Sequence, residues 1–249
     1  MSTTIVGAGF VAGATVKIGS VPATGVHVVD ATHVHAMAPA RPAGTLNDVS
    51  VTNPGNLTGI LASGWMADFL DVPGSNPFHG DVVSIVRAGI TAGCGGGDYC
   101  PALAVTRAQM AVFLLRAEHG AAYQPPPATG SVFLDVPASA FAAAWIERLA
   151  AEGITGGCGG GNYCPGAPVS RAQMAPLLLR TEHGPSYQPP AATGTVFLDV
   201  PASAFAAAWI ERLHAEGVTS GCGGGKYCPA SPTQRGQMAT FLTRTFGLP

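Results

Sequence analysis

The sequence predicts a small N-terminal β-sandwich followed by three copies of a helix-loop-helix unit that pack against one another. Two observations carry the helical part. The chain repeats itself with a period of 64 residues: Phe69, Phe133 and Phe197 each open "FLDVP", and Cys94, Cys158 and Cys222 open "CGGGDYC", "CGGGNYC" and "CGGGKYC". Each copy also holds two stretches with apolar residues at helical spacing on either side of that glycine-rich loop. The third observation concerns the beginning of the chain, where "TTIVGAGF", "ATVKIG", "HVVDATHVHAMAP" and "DVSVTNPG" are short β-prone runs punctuated by Gly, Pro and Asn.

Taken in order, the first of these runs starts almost at Met1, which leaves no room for an earlier partner strand and predicts an open sandwich edge. The first repeat then reads "FLDVPGSNPFHGDVVSIVRAG", with Asp81 where the others have Trp145 and Trp209. It is the divergent one, because the second and third repeats share all seventeen residues of "FLDVPASAFAAAWIERL". In the second repeat, Phe141, Trp145, Ile146 and Leu149 fall on one helical stripe expected to face the core, with Ser139 as the cap and Gly153 as the stop. A second helix follows from "VSRAQMAPLLLRTEHG", where Ser170 and Gln173 make a capping box and Gly184 closes the end. Pro176 lies inside that helix and predicts a kink, since it removes a backbone hydrogen bond. Extended connectors, "YQPPPATG" and "YQPPAATG", join the repeats. The domain boundaries read from this are 1–66 for the sandwich, 67–122, 131–186 and 195–249 for the repeats, and 123–130 and 187–194 for the proline-rich linkers.

Composition narrows the function. Charged residues make up 10% of the 249 residues, against about 25% in ordinary globular chains, and such a surface is poorly defended against self-association. A net charge of −2 gives no footprint for nucleic acid. No apolar run reaches the roughly 18 to 20 residues that span a bilayer, and "MSTTIVGAGF" lacks a basic head followed by an apolar signal segment, so either the chain stays in the cytosol or its export signal lies outside this sequence.

Six cysteines in three like frames point to an oxidising compartment. A zinc site wants four ligands in close pairs or with His added, which C-x5-C does not supply. A redox pair prefers C-x-x-C beside positive charge. The remaining reading is a local staple, pairing Cys94 with Cys100, Cys158 with Cys164 and Cys222 with Cys228. Closing so short a loop should stabilise the fold by roughly 2 to 3 kcal/mol.

The arginines after the caps, Arg107, Arg171 and Arg235, are not explained by capping, since a cation at the first helical position opposes the helix dipole. Two compensators are open. One is a hydrogen-bonded pair with Asp71, Asp135 or Asp199 of "FLDVP"; the other is a bidentate grip on a ligand carboxylate. Trp145 and Trp209 could stack on sugar rings, although their spacing favours the core. His33 and His35 share one face of a strand and read as an ordinary exposed pair, and the "NLT" sequon at Asn56 is a weak motif. His119 and His183 end helices, where an imidazole is favourable anyway. No repeated position offers a nucleophile with a base or paired acids, so the chain reads as a non-enzyme that needs no cofactor and no metal.

The repeats resemble the S-layer homology (SLH) family, whose members carry an F-x-D-V start, an aromatic first helix, a Gly-containing loop and a T-R-A-E entrance to the second helix. Here these are Phe133 to Val136, Trp145, the Cys-flanked loop and "VSRAQ", with equivalents in the other repeats. Gln109, Gln173 and Gln237 stand where the family has Glu, Gln234 replaces the capping Thr106 or Ser170, and the cysteines are not a general family feature. The first 60 or so residues resemble the immunoglobulin-like IPT/TIG family, which normally has a strand before the segment matching "TTIVGAGF". The resemblance implies three tandem SLH-like repeats in a pseudo-threefold helical bundle that holds extracellular proteins to acidic, often pyruvylated, cell-wall polysaccharide. Candidate ligand residues are then Arg107, Arg171, Arg235, Asp71, Asp135, Asp199, Trp145 and Trp209. Two functions follow as expectations: a secreted structural protein of the cell surface whose copies associate into a layer or filament, with a strand lent to the open sandwich edge, or a wall-polysaccharide anchor for a larger exported protein.

Overall fold

The computed structural model describes residues 1–249. It divides into two compact units, one formed by residues 1–74 and 92–99, the other by 75–91 and 100–249.

The first unit is built from seven strands: β1 (Ser2–Val6), β2 (Thr15–Ile18), β3 (Val21–Pro22), β4 (Thr24–Asp30), β5 (His33–Met37), β6 (Leu46–Thr52) and β7 (Thr58–Met66). They form two antiparallel sheets, β1-β5-β4 and β3-β2-β6-β7. Strict alternation in β2, β5 and β6 sends every second side chain inward, and Val16, Val34, Ala36, Val49 and Val51 meet in one core fed by both sheets. His33 and His35 fall on the other face of β5, as their spacing predicts, and His33 Nδ1 lies 3.2 Å from Asp30. β1 and β7 are each paired along one side only. The outer two-thirds of β7 is exposed on both faces, which leaves Leu57, Ile60 and Leu61 open to solvent.

The second unit holds six helices: α1 (His79–Arg87), α2 (Arg107–His119), α3 (Ala143–Ala151), α4 (Arg171–His183), α5 (Ala207–Ala215) and α6 (Arg235–Thr245). None is long and apolar enough to cross a membrane. The helices pair across repeats: α2 packs on α3, α4 on α5, and α6 on α1. Their inner faces, including Ile85, Leu114, Ile146, Leu149, Leu178, Ile210, Leu213 and Leu242, are fully buried. A single helix pair could not enclose this apolar surface alone. The segments entering α2, α4 and α6 are also joined by backbone hydrogen bonds in a closed ring: Val105 N donates to Thr233 O, Thr233 N to Val169 O, and Val169 N to Val105 O, at 2.8 to 2.9 Å.

Local expectations fare unevenly. Thr106 with Gln109 and Ser170 with Gln173 form the capping boxes read from the sequence, and Gly153 turns left-handed (φ 72°) directly after the α3 cap. α4 runs through Pro176 and spans thirteen residues, as α2 does. Ser139 does not cap α3. That helix starts at Ala143 behind Ala142, which sits in the left-handed region (φ 59°) and makes no side-chain cap bond. The later start turns Phe141 out of the core stripe: it is 70% exposed, while Ile146 and Leu149 are fully buried.

Candidate functional site

The glycine-rich loops are closed as the cysteine pattern predicts: Cys158–Cys164 and Cys222–Cys228 are disulfides with Cα atoms 6.1 and 6.0 Å apart, and no cysteine in the chain is free. Inside the loop, Cys158 N donates to Asn162 O and Asn162 N to Gly159 O. Gly157 must be glycine, because its φ is 86° and a Cβ there would lie 2.3 Å from Asn162 O.

Each "FLDVP" aspartate clamps this loop from outside. Asp135 accepts from Tyr163 N at 2.7 Å and Cys164 N at 2.8 Å, Asp199 accepts from Tyr227 N and Cys228 N at the same distances, and Asp71 accepts from Tyr99 N at 2.8 Å. The bond from Tyr163 N holds the Asp135 carboxyl below its ordinary range.

Arg107 and Arg171 therefore do not find their compensation in a hydrogen-bonded pair with Asp135 or Asp199, whose oxygens are engaged by backbone amides. Arg107 reaches into the next repeat instead. Its Nε donates to Tyr163 O at 2.7 Å, its guanidinium lies 4.7 Å from the Tyr163 ring centroid, and Tyr163 Oη donates back to Arg107 O at 2.8 Å. Arg171 repeats the pattern with Tyr227 at 2.8, 4.6 and 2.9 Å. Arg235 lies over Phe113. Each tyrosine is buried, which pushes the Tyr163 phenol up to about 12 and raises Tyr227 as well. Both stay neutral donors, and the cation over the ring replaces the counter-charge that the dipole argument demands.

In Arg171 one donor remains uncommitted. Only 3% of it is exposed, its Nη2 has no hydrogen-bond partner in the protein, and burial pushes its pKa below the usual arginine value. It lies between two openings. One, of about 300 Å³ between α1 and α6, is also lined by Asp81, Gln237, Thr240 and Arg244; the other, of about 400 Å³, is lined by the Cys222–Cys228 pair, Ser231 and Gln234. A buried guanidinium with a free N–H beside such space is suited to a carboxylate ligand.

The tryptophans are half-buried and not in the core proper. Arg116 lies over Trp145 and Arg180 over Trp209, at 5.3 and 5.0 Å, while Tyr123 and Tyr187 of the proline-rich connectors meet the same rings edge-on. Trp209 also lines a groove of about 440 Å³ with Phe205, Arg180 and a row of alanines. Arg171 and Trp209 thus border different openings, and the candidate residues form a set of positions spread over the repeats.

Sequence reasoning missed the loop tyrosines and two carboxylate-histidine clusters, Glu118-His119-Glu152 and Glu182-His183-Glu216. His119 Nε2 is 3.0 Å from Glu152 Oε1, and His183 Nε2 is 2.9 Å from Glu216 Oε1. Burial, then the charge of Glu152, raises the pKa of Glu118. The recurrence of Tyr beside the second cysteine, and of "EHG" and "AEG" at the helix ends, was the available signal.

Comparison with known proteins agrees with parts of this picture. Residues 132–175 match the S-layer homology domain and residues 2–64 match the IPT/TIG domain. A "Cell surface protein" of Thermoanaerobacter kivui is 31% identical over 116 residues, which is 46% of this chain and 15% of that protein. The chain thus spans less than a sixth of the length of this relative.

Proposed function

We propose that this chain is a non-catalytic, extracellular protein of the cell surface whose helical unit is an SLH-type triplet, arranged about a pseudo-threefold axis, that holds acidic, pyruvylated wall polysaccharide. The S-layer homology match over the second repeat and the cell-surface relative support the location. The closed backbone ring and the cyclic pairing of α2 on α3, α4 on α5 and α6 on α1 support the triplet. One observation supports the ligand class: Arg171, buried between two openings, keeps Nη2 without a hydrogen-bond partner, a donor that a ligand carboxylate can use. Trp209 and Phe205 offer a separate apolar wall on which a sugar ring can lie.

Sedimentation of the purified chain with isolated wall polymer tests this reading. Arg171→Lys keeps the charge and loses the fork-shaped donor, so it should weaken co-sedimentation at least tenfold; because the Nε bond to Tyr227 O is lost as well, its melting falls, and binding is compared at a temperature where circular dichroism shows both proteins folded. Failure of the intact chain to bind polymer would reject it.

A second reading, self-association into a layer or filament, draws on the first unit. β1 and β7 are open edges, and between them lies an apolar opening of about 380 Å³ lined by Ile5, Phe10, Val49, Val51, Leu57 and Leu61. An extended segment lent by another copy would complete both sheets and cover the exposed leucines. Analytical ultracentrifugation with electron microscopy decides: a chain that stays monomeric at high concentration has no such assembly.

A further inference from the structure

Two clusters at the boundaries between repeats remain outside that function. Glu118 and His119 end α2, and Glu152 caps the neighbouring α3; Glu182 and His183 end α4, and Glu216 caps α5. In each cluster one imidazole nitrogen and two carboxylate oxygens lie within 4.8 Å of one another. In the first, His119 Nε2 is 3.0 Å from Glu152 Oε1 and 3.7 Å from Glu118 Oε2; in the second, the corresponding distances are 2.9 and 3.5 Å. Ligand atoms on a tetrahedral ion with bonds of about 2.0 to 2.1 Å stand roughly 3.3 Å apart, and each imidazole nitrogen stands near that spacing from both of its carboxylates.

The hydrogen bonding of the cap glutamate is uneven. Arg148 Nε donates to Glu152 Oε1 at 2.6 Å, as Arg212 Nε does to Glu216 Oε1 at 2.5 Å, so the oxygen that faces the histidine is also fixed by a guanidinium. The other oxygen, Oε2, is buried in both residues with no hydrogen-bond partner. A carboxylate oxygen shut away from water without a donor carries a desolvation cost, and here it recurs at both boundaries. The bordering His119 and His183 rings keep 28% and 30% of their surface, so the clusters are reachable from solvent.

We infer that Glu118, His119 and Glu152, and likewise Glu182, His183 and Glu216, each bind one zinc-type divalent ion that ties a repeat to the next. One imidazole with two carboxylates suits zinc, with water as fourth ligand, and does not suit calcium, which takes six to eight oxygens. On binding, the ion takes the place of any proton on His Nε2, which is released to solvent. The third boundary supplies an internal control. There the equivalent positions are Phe246, Gly247 and Ala88, which offer no ligand, so the full chain should bind two ions and not three.

The test is a titration of the chelator-stripped, oxidised full chain with zinc chloride against a chromophoric zinc indicator, with calcium chloride as a parallel arm. Two equivalents of zinc and none of calcium are expected, with a rise in melting temperature that grows with free zinc. His119→Gln should leave one equivalent and His119→Gln with His183→Gln none, with unchanged circular dichroism. Cobalt(II) titration of the unmodified chain gives a readout that does not depend on the variants: intense visible bands mark four-coordinate N/O ligation. No saturable zinc binding by the native chain, a weak octahedral cobalt spectrum, or two equivalents surviving in the double variant would each overturn the inference; the first of these would leave His119 and His183 as hydrogen-bonding partners of the glutamates. Polymer binding through Arg171 uses different residues, so failure of either proposal leaves the other standing.

Discussion

The boundary between α2 and α3 and the boundary between α6 and α1 are built on the same backbone plan from different side chains. In the first, Trp145 lies under Arg116, Tyr123 meets its edge, and His119 bonds Glu152. In the second, Asp81 occupies the tryptophan position and accepts from Thr240 Oγ1 at 2.5 Å, and Phe78 lies against Gly236, where the other repeats have Ala108 and Ala172. The α4/α5 boundary follows the first pattern through Trp209, Arg180 and Tyr187. Replacing the aromatic wall by a carboxylate changes what a boundary can hold. The α4/α5 groove is lined by Trp209, Phe205 and alanines, whereas the α6/α1 opening presents Asp81, Arg244 and the buried Arg171. Divergence of the first repeat therefore alters the chemistry of one boundary and leaves the ring of backbone bonds intact.

The largest expected effect breaks the aromatic boundaries. Trp145→Ala or Trp209→Ala removes a half-buried ring together with its stacking on Arg116 or Arg180, and each should lower stability by about 2 to 4 kcal/mol in urea unfolding. Next comes the charged boundary. Asp81→Ala removes the hydrogen bond from Thr240 and a carboxylate in the first turn of α1, and should cost about 1.5 to 3 kcal/mol. Should Asp81→Ala prove harmless while Trp145→Ala is costly, the α6/α1 boundary is held by Phe78 packing alone, and the equivalence drawn between the two positions fails.

What was legible in the sequence is what depends on neighbours in the chain. The capping boxes, the glycine stops and the cysteine staples rest on residues three to six apart, and all were readable. The alternation that builds β2, β5 and β6 was readable for the same reason. The role of Arg107 was not, because its partner Tyr163 is 56 residues away in the following repeat and the helix-dipole argument points equally to any nearby acid. Asp135 looked like that acid, yet two loop amides had already claimed its oxygens. The position of Phe141 was misread for a subtler reason. A left-handed Ala142 delays the start of α3, and nothing in an alanine announces that conformation.

A tighter comparison uses the glycine of the third boundary. A Cβ on Gly236 would lie 2.5 to 2.9 Å from the Phe78 ring, including its Cγ, so the ring as a whole would have to move. Gly236→Ala should therefore cost about 1 to 2 kcal/mol despite its better helix propensity. The cost should vanish in the background of Phe78→Ala, where alanine recovers its advantage. Additive costs in that double-mutant cycle would show that the two positions do not share one packing contact.

The smallest effect separates the boundaries by their helix entries. Ala142 and Ala206 hold φ values of 59° and 60°, while Phe78 at the equivalent position of the first repeat holds −96°. An L-residue in the left-handed region carries a cost of roughly 1 kcal/mol that glycine does not. Ala142→Gly and Ala206→Gly should each stabilise the chain, by up to about 1 kcal/mol and additively, since the positions lie in separate repeats. The same substitution at Phe78 should destabilise, because no strain is relieved there and the ring against Gly236 is lost. Thermal unfolding of the three variants reads the contrast directly. A gain at Phe78, or a loss at both alanines, would mean that the entry conformation is not what distinguishes the divergent repeat from its two neighbours.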